Sequence, residues 1–139
     1  MSLRIEERDV QGIAILDLEG PLTLGDAEVA LRDKLSALHQ AGTVNIALNF
    51  KHVTHLDSAA LGMLVYGMAK LRKAGGNLAL FNVNESHLEL LLLTKLALAF
   101  APLQDEQDAV NSFFPDRAVK HFDVLAFVQE EETSNGPAD

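Results

Sequence analysis

Short apolar strand patterns and amphipathic helix patterns alternate along this chain, with only a few residues between them. Ile13, Ile15 and Leu18 form an apolar stretch closed by Glu19, Gly20 and Pro21, the pattern of a strand followed by a turn. Ala27, Leu31, Leu35 and Leu38 then fall in steps of four and three, which is one face of a helix. Thr23 with Asp26 resembles a capping box with a shortened acid at its start, and Gly42 is a stop at its end. Val44, Ile46, Leu48 and Phe50 supply the next strand, and the polar stretch Lys51 to His55 reads as a connector. Leu61, Leu64, Val65, Met68 and Leu71 mark a second helix face that Gly75-Gly76 ends.

The alternation continues. Leu78, Leu80 and Phe81 open a third strand that ends at Asn82, and Asn84 caps a helix carrying Leu88, Leu91, Leu92 and Leu96. Ala97 to Leu103 is a short apolar run that reads as a further strand, with Pro102 closing it. Asp105 caps a fourth helix, with Ala109, Val110, Phe113 and Phe114 on one side and Pro115 as its stop. Parallel neighbours need crossover helices, so this order predicts an α/β domain with a mostly parallel or mixed sheet under helices. No internal repeat of solenoid length is found. Residues 1–115 therefore read as one domain, 116–129 as a C-terminal extension and 130–139 as an acidic flexible tail. In the extension, Ala118, Val119, Phe122, Leu125 and Ala126 fit a helix, while Phe122, Val124 and Ala126 fit a strand. Both readings stay open. The tail, Glu130-Glu131-Glu132 and the small residues after it, is solvated.

Composition narrows the function. The 139 residues are 48% hydrophobic, enough for one core, which excludes disorder of the whole chain. Twenty acidic residues against 11 basic ones give a formal charge of −9. That sign opposes binding to a phosphate backbone, which needs clustered Lys and Arg. Cysteine is absent, which excludes disulfides, thiolate chemistry and Cys-ligated zinc. Met1 to Asp9 is polar and charged, without the apolar core of a secretion signal, and no apolar run approaches the ~18 residues that span a bilayer. The expectation is a soluble cytoplasmic protein that binds neither nucleic acid nor membrane.

The segment richest in chemistry is His55-Leu56-Asp57-Ser58-Ala59-Ala60-Leu61-Gly62. Asp57 is a good N-cap, which puts Ser58 at the first helical position, beside unpaired amides and the positive end of the helix dipole. A phosphate on Ser58 would meet those donors, and small Ala59, Ala60 and Gly62 would leave the corner open to a docking partner. On physics alone, Asp57-Ser58 also stands as nothing more than a helix cap. His52 and His55 invite a metal pair or a general base, but no third ligand accompanies them, and a solvated connector is the plainer description. There is no nucleophile elbow, P-loop or dinucleotide fingerprint, and the scattered carboxylates nominate no acid/base pair. The run Leu90 to Leu93 is more apolar than one buried face requires, so Leu90 or Leu93 marks a contact surface or lies under a cover such as Phe122 to Val128.

From about Ile5 to Phe114 the chain resembles a STAS domain, the family of anti-sigma factor antagonists. The resemblance is densest at Asn49-Phe50-Lys51-His52-Val53-Thr54-His55-Leu56-Asp57-Ser58-Ala59-Ala60-Leu61-Gly62, where the family usually shows Asp-Ser-Ser-Gly-Leu-Gly. Leu18 to Thr23, Gly75 to Leu80 and Leu92 to Leu96 resemble three further family blocks in the right order. The resemblance implies a mixed sheet with about four helices packed mainly on one face, and no catalytic activity; no cofactor or metal is expected. It also implies that Ser58 is the acceptor for a partner kinase that is itself an anti-sigma factor, with a phosphatase resetting the switch. Asp57, Ala59, Leu61 and Gly62 would be partner-binding. Ala59 and Ala60 replace the family's usual second Ser and Gly, and Pro21 and Thr23 depart from its first motif. A scaffold or ligand-sensing STAS module, with Ser58 only a cap, is the second reading. A homodimer through the C-terminal extension is a further expectation.

Overall fold

The computed structural model describes residues 2–119. Four strands form one mixed sheet in the order β1-β2-β3-β4: β1 (Arg4–Val10), β2 (Ile13–Leu22), β3 (Asn45–Leu56) and β4 (Asn77–Phe81). β1 runs antiparallel to β2, while β2, β3 and β4 are parallel neighbours. The crossovers are α1 (Asp26–Gln40) and α2 (Ser58–Lys73), followed after β4 by α3 (Glu85–Leu93), α4 (Ala97–Phe100) and α5 (Glu106–Asn111).

β1 is the element that the sequence reading leaves unassigned. Its residues RIEERDV carry little apolar surface, because an edge strand against solvent is protected by charge rather than burial. The link to β2 is a two-residue turn at Gln11 and Gly12, both with positive φ (54° and 86°), which matches the twist of a hairpin. The Gly12 amide donates to the Asp9 carboxylate.

Three further expectations change. The polar stretch Lys51 to His55 is not a connector but the second half of β3, paired through Glu19↔His52, Gly20↔Val53 and Pro21↔His55. Its side chains are polar because most face solvent, while the backbone ladder and buried Val53 hold it in the sheet. Thr23 does not cap α1: the N-cap is Gly25, with no side-chain bond. The run Ala97 to Leu103 is mostly α4, which ends at Ala101 in a left-handed conformation. Only Leu103 reaches the sheet, in an isolated parallel bridge to Phe81. The helix expected to include Leu96 stops at Leu93, where the Thr94 hydroxyl donates to the Leu90 carbonyl.

Two apolar clusters sit on opposite faces of the sheet. The larger buries Leu16, Leu48, Phe50 and Leu80 beneath α1, α2, α3 and α4. The smaller, with Ile15, Ala47, Phe81 and Leu103, lies under Ala109 and Val110 of α5. Helices thus cover mainly one face, as expected. Asp105 caps α5 through the Asp108 amide. At the edge of the α5 face, Arg8 grips Asp17 in a bidentate pair and also reaches Glu106, while Asn49 bonds Asp17 and receives Asn82. Gly76 lies so close to the Val44 carbonyl that no side chain fits there, which locks the α2–β4 turn to the start of β3. Lys120 to Asp139, including the Phe122–Val128 stretch and the acidic tail, lie outside the described residues.

Candidate functional site

The site is built where β3 ends and α2 begins. Asp57 leaves the strand with an extended backbone (φ −123°, ψ 171°) and caps α2. One carboxylate oxygen accepts the Ala60 amide at 2.9 Å, and the other accepts the Leu24 amide, also at 2.9 Å. The second bond crosses from α2 to the β2–α1 turn, so one side chain fixes the two loops that form this corner. The Asp57 carbonyl accepts the Leu61 amide and starts the helical ladder. Of the amides at the helix start, those of Ser58 and Ala59 remain turned outward.

Ser58 is exposed at the first helical position, and its hydroxyl enters none of the hydrogen bonds that hold the corner. Gly62, one turn further, is exposed with open space where a Cβ would stand. Ala59 is half-buried and Ala60 fully buried. Leu61 corrects the expectation: it is fully buried in the main core, so its side chain packs the helix down and offers no docking surface. It precedes Leu64 by three residues and Met68 by seven, which puts all three on the inner face of α2, and all three are buried.

Two residues that sequence reasoning missed belong to the corner. Leu24 is 72% exposed at the tip of the turn held by Asp57. Its signal was a large apolar residue inside a Thr-Leu-Gly-Asp turn, where burial needs none. His87 is buried below the site. Its Nδ1 accepts the Asn84 amide and its Nε2 donates to the Val53 carbonyl, while the Asn84 side chain accepts the His87 amide. That pairing fixes the neutral tautomer, and burial holds the imidazole pKa below its usual value. The ring also packs edge-on against Phe50 at 5.6 Å, so it pins the start of α3 to β3 just upstream of Asp57.

His52 and His55 do not converge. His52 pairs with Glu19 and His55 with Pro21, with an irregularity in the register between them, and His55 Nδ1 lies 3.1 Å from the Thr54 hydroxyl. Among the described residues there is no group of three or more His, Cys, Asp or Glu placed to hold a metal ion, and no helix long and apolar enough to cross a membrane.

A mixed four-stranded sheet with an exposed serine at the start of its second helix defines a small α/β domain. The family model described as STAS domain matches residues 4–109, and the chain belongs to that family. It is 30% identical over 96 residues to the anti-sigma-B factor antagonist of Bacillus subtilis, covering 69% of this chain and 83% of that one. It is 25% identical over 107 residues to the anti-sigma F factor antagonist of Paenibacillus polymyxa, covering 77% and 91%. Its fold matches that of the anti-sigma factor antagonist SpoIIAA in its unphosphorylated form, with a TM-score of 0.67 at 21% identity over 78% of this chain and 95% of that one. The phosphorylated form of SpoIIAA gives a TM-score of 0.62 at 20% identity, over 78% and 98%.

Proposed function

We propose that this chain is an anti-sigma factor antagonist, a non-catalytic module that binds an anti-sigma factor serine kinase and is switched by phosphorylation of Ser58. The names of its relatives support the first half of that reading. One observation carries the second: the Ser58 hydroxyl stands exposed at the head of α2 while Asp57 alone does the capping. The acceptor is thereby free of any structural duty.

In the transfer, the kinase's ATP gives its γ-phosphoryl group to Ser58 Oγ, the hydroxyl proton passes to a kinase base, and ADP leaves. The chain supplies only the nucleophile and its placement. The new group carries about −1.5 to −2 charges and sits beside the Asp57 carboxylate on a protein already at −9. The Ser58 and Ala59 amides can receive a phosphate oxygen, so the fold tolerates the group, whereas an acidic partner surface does not. Docking uses the corner formed by Leu24, Ala59 and Gly62, with Asp57 holding its two sides together. A phosphatase that removes the group restores binding. In this reading residues 1–115 are the signalling unit and the chain works in the cytoplasm.

The test is binding of the cognate anti-sigma factor kinase to the native chain, Ser58→Ala and Ser58→Asp. Ser58→Ala is expected to bind like the unphosphorylated native chain, and Ser58→Asp at least about tenfold more weakly. Equal affinities of the two variants would remove the charge switch.

A further inference from the structure

We propose that the groove between α1 and α2 binds a small aromatic carboxylate, a benzene-sized body carrying one negative charge. The groove has a volume of about 150 Å³ and is made by one face of each helix. Arg32, Leu35, Ser36 and His39 of α1 stand at i, i+3, i+4 and i+7, and Met63, Tyr66, Gly67 and Lys70 of α2 repeat that spacing. The groove is separate from the corner at Ser58. Tyr66 lies about two turns further along α2, and the site stands whether or not that serine is phosphorylated.

The floor is apolar and the rim is cationic. Leu35, Met63 and Leu71 are buried, so a ligand body meets hydrocarbon and the Met63 thioether, a good neighbour for a ring. Tyr66 is 62% exposed at the rim, with Lys70 Nζ above its ring at 4.9 Å from the centroid. Arg32 and His39 line the α1 side. Among the described residues of the lining Asp33 is the one carboxylate, and its Oδ1 stands 3.8 Å from Arg32 Nε in an exposed pair. Such a pair holds weakly, so the guanidinium is available to a ligand carboxylate, which it can take in two parallel bonds. The chain as a whole, at −9, repels anions, and this rim is a local exception to that field.

Gly67 accounts for the space. It stands inside α2 without the positive φ that would demand a glycine, and alanine would favour the helix more. A Cβ at this position would meet Leu35 Cδ1 at 3.4 Å, an ordinary van der Waals contact, so the packing of α1 on α2 does not require the glycine either. What the missing methyl leaves is room in the groove, and an apolar cavity of this size takes a benzene-sized group.

The experiment is an amide NMR titration of the full-length chain with phenylacetate, benzyl alcohol and acetate. Phenylacetate is expected to give saturable shifts at the amides of Ser36, Gly67 and Lys70. Benzyl alcohol keeps the ring without the charge, and acetate the charge without the ring. Each is expected to bind at least about tenfold more weakly. Replacing both rim cations, Arg32→Gln with Lys70→Gln, is expected to abolish the preference for phenylacetate over benzyl alcohol. Gly67→Ala is expected to bind phenylacetate at least about tenfold more weakly while melting no lower than the native chain. No saturable shift at these amides overturns the proposal, as does undiminished binding by Gly67→Ala. Equal binding of benzyl alcohol overturns it in favour of a merely apolar groove, and equal binding of acetate in favour of a general anion site.

Discussion

Asp57 reaches across 33 residues of sequence to hold the amide of Leu24, and with its other oxygen it caps α2 at Ala60. Ser58, next to it, is thereby relieved of holding the fold. Asp57→Ala removes a cap and strands the Leu24 amide, an expected loss of about 1–3 kcal/mol. Ser58→Ala is expected to stay within about 1 kcal/mol of the native chain. Denaturant unfolding of the two variants separates them, and a larger loss for Ser58→Ala would make the hydroxyl structural.

His87 makes stability depend on pH in a defined window. Burial lowers its folded pKa below the ordinary 6.5, so the unfolded chain takes up this proton first as pH falls. Stability from this residue is therefore level above about pH 6.5, and declines as pH drops from there toward the lowered folded value. Protonation also turns Nδ1 from an acceptor into a donor facing the Asn84 amide. Denaturant midpoints between about pH 8 and about pH 5 should fall more steeply for the native chain than for His87→Gln. Parallel slopes would contradict this role.

Gly76→Ala would drive a methyl group into the Val44 carbonyl. The clash is with backbone, which cannot swing away, so the expected cost is about 3 kcal/mol. Gly75→Ala has open space for its methyl but a φ of +90°, and is expected to cost less, about 1 kcal/mol. Thermal unfolding of the pair checks the order.

What the sequence made legible follows from periodicity. The buried faces of α1 and α2, the caps Asp57, Asn84 and Asp105, and the glycine stops all lie in local patterns, and each stands where those patterns put it. β1 and the second half of β3 escaped because their pairing is made by backbone, under side chains that face water. The start of α1 escaped because the Leu24 amide finds its acceptor in a distant residue. At the site, Asp57 and Ser58 were legible as a cap and its neighbour. Leu61 lay on the apolar face that periodicity marks, and the structure follows that face rather than the docking role implied by the family resemblance; His87 was missed because its partner Val53 lies 34 residues away.

The most direct measurement of the proposed switch is intact-mass analysis with peptide mapping of the chain after incubation with a candidate anti-sigma factor kinase and ATP. The account predicts one added phosphoryl group, carried by the peptide that contains Ser58 and absent from Ser58→Ala. No added group, or one that persists in Ser58→Ala, would contradict it.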